Sequence, residues 1–167
     1  VASTHENVQA AFAGESQANR KYLFFADKAE QEGHKQIARL FRAAADAETV
    51  HARNHFRVME GIGSTKDNLL GAISGESHEF TEMYPGFIKQ AEAEGEKKAR
   101  NSFDMANQVE ETHHGLFQSA LSMLEKGQAV EEKPFYVCQV CGHTVEGEAP
   151  DRCPVCGAAK RMFKAIE

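Results

Sequence analysis

Apolar residues recur at helical spacing through most of the chain. A first stretch carries Val8, Phe12, Tyr22 and Ala26, and a second Ile37, Phe41, Ala44, Val58 and Met59. A third carries Leu69, Ile73, Phe80, Met83 and Phe87, and a fourth Phe103, Ala106, Phe117, Ala120 and Leu124. The breaks between them fall at Gly33, at Gly61-Ile62-Gly63, at Gly95 and at Gly127, where glycine stops a helix without steric cost. Four amphipathic helices of roughly 20 to 30 residues each predict a four-helix bundle over residues 1–133.

Each stripe is interrupted by acids on its apolar face. Glu15 falls between Val8 and Tyr22, and Glu48 and His51 extend the row of Phe41 and Ala44. Glu76 follows Ile73, with Glu79 three residues on, and Glu110 and His113 stand between Ala106 and Phe117. Spacings of three and four turn all of these inward. A carboxylate buried without a partner costs several kcal/mol, and no Lys or Arg occupies the stripes at that level. Bound cations are the remaining way to hold them. Two Glu-x-x-His pairs, with glutamates from the other two helices, form the ligand set of carboxylate-bridged di-iron or di-manganese sites. Imidazole nitrogen suits iron over calcium or magnesium.

The helix pair is used twice. Ala11-Phe12-Ala13-Gly14-Glu15-Ser16 reappears as Ala72-Ile73-Ser74-Gly75-Glu76-Ser77, and Glu32-Gly33 and Glu48/His51 reappear as Glu94-Gly95 and Glu110/His113. The spacing grows by one between the first match and the others, so one residue is inserted between Glu76 and Gly95, where Pro85 also lacks an N–H. A π-bulge or kink is expected close to Glu79 and Tyr84.

Composition changes sharply near residue 134. All four cysteines and three of the four prolines lie beyond residue 133. There Arg152, Lys160, Arg161 and Lys164 cancel Glu146, Glu148, Asp151 and Glu167, so the whole net charge of −6 belongs to residues 1–133. Acidity without a basic stripe speaks against nucleic acid as a partner. Apolar runs of a few residues speak against a membrane span. No leader opens the chain, which leads us to expect a cytoplasmic protein. Cys138-x-x-Cys141 followed by Cys153-Pro-Val-Cys156 is the spacing of two knuckles supplying four thiolates to one tetrahedral ion, zinc or iron. Disulfides are the weaker alternative in an acidic intracellular chain. So short a segment cannot bury an adequate core, and a metal is expected to hold it together. His143 is expected at the surface, because four sulfurs complete the shell.

These stretches resemble the rubrerythrin family over nearly the whole chain. The resemblance is carried by Ala-Phe-Ala-Gly-Glu-Ser at 11–16, Gly-Glu-Ser-His-Glu at 75–79, Glu-Met-Tyr-Pro at 82–85, the two Glu-x-x-His pairs and both cysteine knuckles. It implies a mainly α protein: a ferritin-like di-iron four-helix bundle (1–133) followed by a small rubredoxin-like, metal-bound β/loop domain (134–167). It further implies a peroxide reductase of oxidative-stress defence, NAD(P)H-linked through an external electron donor, either rubredoxin or a reductase. Glu15 would be a terminal ligand of one iron, Glu48 and Glu110 would bridge, and Glu76 and His113 would bind the second iron. Glu79 and His51 would exchange on the first iron as the redox state changes. Cys138, Cys141, Cys153 and Cys156 would hold a mononuclear iron that passes electrons singly to the di-iron centre, where hydrogen peroxide becomes water. Tyr22 and Tyr84 match tyrosines beside the site, where they would hydrogen-bond ligands or peroxide. His5, His34, His55, His78 and His114 match no metal role.

In such a bundle the second and third helices run parallel, so the connection Gly61 to Asp67 must travel about 30 Å, while roughly seven residues reach at most about 25 Å. A domain-swapped homodimer is therefore expected, with helices 1–2 of one chain closing over helices 3–4 of the other. Two rival readings use the same residues. One is a ferroxidase or iron-handling ferritin-like protein, in which the thiolate module has no evident purpose. The other is a zinc ribbon for protein interaction on a structural bundle.

Overall fold

The computed structural model describes residues 2–128 and 132–166. Two compact units divide the chain, 1–63 and 64–167. The first is a helical hairpin, α1 (Thr4–Gln31) and α2 (Lys35–Val58). The second carries α3 (Thr65–His78), a π-helical turn (Glu79–Met83), α4 (Tyr84–Glu94) and α5 (Lys97–Glu125). It ends in three short strands, β1 (Phe135–Cys138), β2 (Thr144–Glu146) and β3 (Phe163–Ile166).

The repeat seen in the sequence governs how these helices begin and end. Ser3 caps α1 and Ser64 caps α3, each taking a backbone N–H three residues on and giving its own to that residue's carboxylate, Glu6 or Asp67. Each box satisfies donors that the first turn leaves open. Gly33 and Gly95 end α1 and α4 at φ +83° and +73°, conformations in which a Cβ would be strained. They let His34 N–H and Glu96 N–H reach back to the Ala29 and Ala91 carbonyls at 2.8 and 2.9 Å. The end of α2 departs from the glycine rule, since Glu60 rather than Gly61 takes the left-handed turn at φ +54°. Because Ser64 caps α3, the connection after α2 runs from Met59 to Ser64 and is shorter than the expected Gly61 to Asp67.

α1 and α2 run antiparallel, as the pairs Phe12–Phe56, Asn19–Ala45 and Tyr22–Phe41 show. Ala26 and Ala38 are 0 % exposed and Ala45 1 %, so small side chains let the two backbones approach closely. In the second unit Tyr84–Phe103 and Lys66–Glu125 place α3 and α4 antiparallel to α5. The aromatic packing obeys the repeat as well. Tyr22, Phe25 and Phe41 pack with ring centroids 5.6 to 6.4 Å apart, and Tyr84, Phe87 and Phe103 with centroids 5.5 to 6.3 Å apart.

The inserted residue lies where the sequence places it. At Glu79–Met83 the helix widens to π geometry, and Tyr84 N–H donates to the Glu79 carbonyl five residues back. α3, the π turn and α4 thus form one continuous helical run, matching the expected third helix. The strands form an antiparallel sheet in the order β2-β1-β3, with Val137 opposite both Thr144 and Lys164.

Candidate metal centres

Glu15 on α1 and Glu48 and His51 on α2 converge on one point. His51 Nδ1 lies 2.8 Å from Glu48 Oε2 and 3.9 Å from Glu15 Oε1. The register between the helices is set one turn away, where the Asn19 amide donates to the Ala45 carbonyl at 2.7 Å and to Thr49 Oγ1 at 2.9 Å. Sequence reasoning missed Asn19; its signal was a further polar residue four positions after Glu15 on the inner face.

The second unit builds the same group. His113 Nδ1 lies 2.8 Å from Glu110 Oε2 and 3.8 Å from Glu76 Oε1. In each triad one oxygen of each glutamate and one ring nitrogen lie within 4.8 Å of one another. Glu79 stands on the π turn outside the triad, close enough for Glu110 and His113 to act on its carboxyl, which burial, before either of them, pushes above the usual range. Tyr84 is half-buried nearby. Burial first, then the carboxylates of Glu79, Glu110 and Glu76, raise its phenol. Tyr22 packs among Phe25 and Phe41 on the first hairpin. An apolar cleft of about 510 Å³ opens beside Glu76 and His113, lined by Leu69, Leu116, Phe117 and Phe135 among others.

The carboxyl of Glu76 is the most perturbed acid of the group. Burial, a hydrogen bond with Glu110 and the charges of Glu110 and Glu79 push it up to about 7. Carboxyl groups crowded this closely either share protons or face a cation. The donor set of carboxylate oxygens and one imidazole nitrogen per triad fits a transition metal such as iron.

The four cysteines converge as their spacing requires. Cys138 Sγ is 3.7 Å from Cys156 Sγ, and Cys141 Sγ is 3.5 Å from Cys153 Sγ. A tetrahedron with metal–sulfur bonds of about 2.3 Å has edges of about 3.8 Å, whereas a disulfide brings sulfurs to about 2.05 Å. All four are free thiols, which excludes the disulfide alternative. Burial opposes ionisation of Cys138, but the N–H groups of Val140 and Cys141 and the neighbouring thiols outweigh it and bring the thiol down to about 7. The thiols of Cys141 and Cys156 are pushed up, by burial first. Backbone N–H groups of His143 and Ala158 oppose that rise. Amides already aimed at sulfur suit a thiolate-bound cation.

His143 corrects a sequence expectation: it is 8 % exposed rather than at the surface. The cysteine loop folds against α5, where a Cβ on Gly142 would meet Val109 Cγ1 at 3.8 Å. Burial, and after it the charge of His113, lowers the His143 imidazole.

Two family models match the chain: rubrerythrin over residues 6–121, and the rubredoxin-like domain of rubrerythrin over residues 136–164. The chain is 37% identical to rubrerythrin-2 of Clostridium acetobutylicum, with 99% of this chain and 97% of that protein covered. It is 36% identical to a rubrerythrin of Porphyromonas gingivalis, over 98% of this chain and 90% of that one. Among solved structures, the fully reduced, all-ferrous state of nigerythrin aligns at a TM-score of 0.60 and 36% identity, covering 99% of this chain and 88% of that chain. The four-sulfur group is thus a rubredoxin-like site, and the glutamate–histidine triads are ligand groups of the di-iron kind.

Proposed function

The chain belongs to the rubrerythrin family, and from that premise we propose that it reduces hydrogen peroxide to water in oxidative-stress defence. The observation that carries the reading is the donor inventory: two matching triads of two glutamates and a histidine, and a separate set of four sulfurs. The triads would hold two iron ions, which when bound would supply the two electrons that hydrogen peroxide takes up with two protons to leave as two waters. Glu15, Glu48, His51, Glu76, Glu79, Glu110 and His113 are the proposed ligands, with Glu48 and Glu110 bridging. The Tyr84 hydroxyl is a group that can hold a proton beside the departing oxygen. Cys138, Cys141, Cys153 and Cys156 would hold a single iron able to pass on electrons from rubredoxin or an NAD(P)H-linked reductase in the cytoplasm. No helix among the described residues is long and apolar enough to cross a membrane.

The two modules are residues 1–133 and 134–167, and the working unit is a domain-swapped dimer. α2 continues about 15 Å past Glu48, and α3 runs about 16 Å before Glu76. In a bundle where these helices run parallel, the connection between them must span about 31 Å. Met59–Ser64 reaches at most about 25 Å, so each complete site takes one triad from each of two chains. Light scattering should report twice the 18.4 kDa chain mass. A mixture of Glu48→Ala and Glu110→Ala chains should recover activity, since a swapped heterodimer keeps one intact site; a monomer, or a mixture without activity, overturns the swap.

The function is tested anaerobically. The reduced protein receives one equivalent of hydrogen peroxide per di-iron site, and both centres are followed by their spectra. Oxidation by two electrons per peroxide is expected. Centres that stay reduced, or that oxidise only with oxygen, overturn the reading.

A further inference from the structure

The two triads share the same histidine Nδ1–glutamate contacts and differ at the far ring nitrogen. His51 offers Nδ1 to Glu48 and Glu15, and its Nε2 meets no hydrogen-bond partner among the described residues; its side chain is 54 % exposed. His113 offers Nδ1 to Glu110 and Glu76 in the same way, but its Nε2 lies 3.0 Å from Thr144 Oγ1 and its side chain is only 27 % exposed. Thr144 opens β2, directly after the loop that carries Cys138 and Cys141.

The Thr144 hydroxyl lies 3.1 Å from the Gly142 carbonyl, to which it can donate its only proton. With a metal on Nδ1, on the side of Glu110 and Glu76, the neutral imidazole carries its proton on Nε2, and the Thr144 oxygen is placed to accept it. A histidine that binds a metal through one nitrogen is oriented by the hydrogen bond its other nitrogen makes.

Thr144 is itself held in place by the cysteine loop. Cys138 N–H donates to the His143 carbonyl at 2.9 Å and Gly142 N–H to the Cys138 carbonyl at 2.8 Å. Gly142, at φ +87°, turns the chain against Val109, four residues before His113 on α5.

Resting on the di-iron reading, we infer that Thr144 is a positioning residue: its hydroxyl, anchored by the cysteine loop, fixes His113 as an Nδ1 ligand. Among the described residues no such contact reaches His51 Nε2, so the two histidines are held unequally within one chain. The loop that carries two of the four thiolates therefore also orients a ligand of the other centre.

The test uses the full-length chain loaded with zinc and labelled with nitrogen-15 in histidine. The His113 Nε2–H is read by its chemical shift and by its rate of exchange with solvent. In the unaltered protein it should exchange slowly and His51 should exchange faster. Thr144→Val keeps the shape and removes the acceptor, so His113 exchange should accelerate roughly tenfold while His51 is unchanged. Thr144→Ser should restore slow exchange, and Thr144→Ala should reproduce the valine result if valine strains the loop. A His113 signal indifferent to loss of the hydroxyl overturns the inference, as does failure of serine to restore it. The readout needs neither iron nor peroxide, so its failure is distinct from failure of the peroxidase reading.

Discussion

Glu76 on α3 and Glu110 on α5 face each other as a carboxyl pair, and burial together with that hydrogen-bonded neighbour pushes Glu76 up to about 7. In the metal-free protein the folded chain keeps a proton here that an ordinary carboxyl, near 4.5, has already lost in the unfolded chain. The folded state therefore binds more protons between those values. The stability Glu76 contributes is fully present below about 4.5 and is lost as pH rises through about 7. Urea denaturation of the metal-free chain should show a midpoint that drops from about pH 5 to about pH 8, and a smaller drop in Glu76→Gln. An equal drop in both would remove Glu76 as the cause. Metal loading near pH 6 should likewise release protons.

Separate centres should fail separately. Glu15→Ala or Glu48→Ala should slow oxidation by peroxide by more than the roughly 100-fold that loss of an outer partner costs a metal site. The absorption of ferric iron on the four thiolates should persist. Cys138→Ala should do the reverse, sparing peroxide oxidation of the reduced protein while stopping turnover from an external donor. Stopped-flow spectra of the two chromophores distinguish these outcomes.

Removing the metal from the cysteines should unfold the last segment alone. Its buried residues among those described are Cys138, His143, Ala149 and Cys153, so the metal ligands are half of its core. The binding free energy of such a site, on the order of 10 kcal/mol, acts as folding free energy. A chelator should therefore make the segment after Pro134 cleavable by protease while the far-UV helical signal stays constant. Resistance to cleavage would mean that the three strands are stable by themselves.

The π turn should place Glu79 rather than the residues after it. Deleting Thr81 gives Glu76 to Tyr84 the seven-residue spacing of Glu15 to Tyr22, so the run becomes regular α helix with Tyr84 and Phe87 still in phase with Phe103. The Glu79 carboxyl loses its place beside Glu110 and His113. Ferrous iron should bind about 10- to 100-fold more weakly; unchanged affinity would show that the bulge does not position Glu79.

Close approach of α1 and α2 through alanine should tolerate no added volume. Ala38→Leu inserts three carbons at a position that is 0 % exposed, and overpacking of this kind costs about 1 to 3 kcal/mol. A lowered urea midpoint is expected, and an unchanged one would mean that the hairpin relaxes apart.

Much of this was legible in the amino-acid sequence because it is local or periodic. Helix ends follow from glycine, although Glu60 took the left-handed turn one residue before the glycine that was expected to. Glu48/His51 and Glu110/His113 are three apart, so helix geometry alone brings each pair together. Their glutamate partners on the neighbouring helix, Glu15 and Glu76, followed from the apolar stripes. The bulge was readable because one repeat has a residue more than the other. The cysteines needed only their two spacings.

What the tertiary structure decided are relationships between distant positions with no period to announce them. Asn19 pins Ala45 and Thr49, Thr144 holds His113, and His143 is buried where a surface residue was expected. The proton on Glu76 belongs to the same class, since it depends on how deeply α3 and α5 bury a second carboxyl beside it. Residue types and helical spacing determine which groups can be ligands. Burial and the partner on the far side of each side chain determine which ring nitrogen is already engaged and which acid keeps its proton.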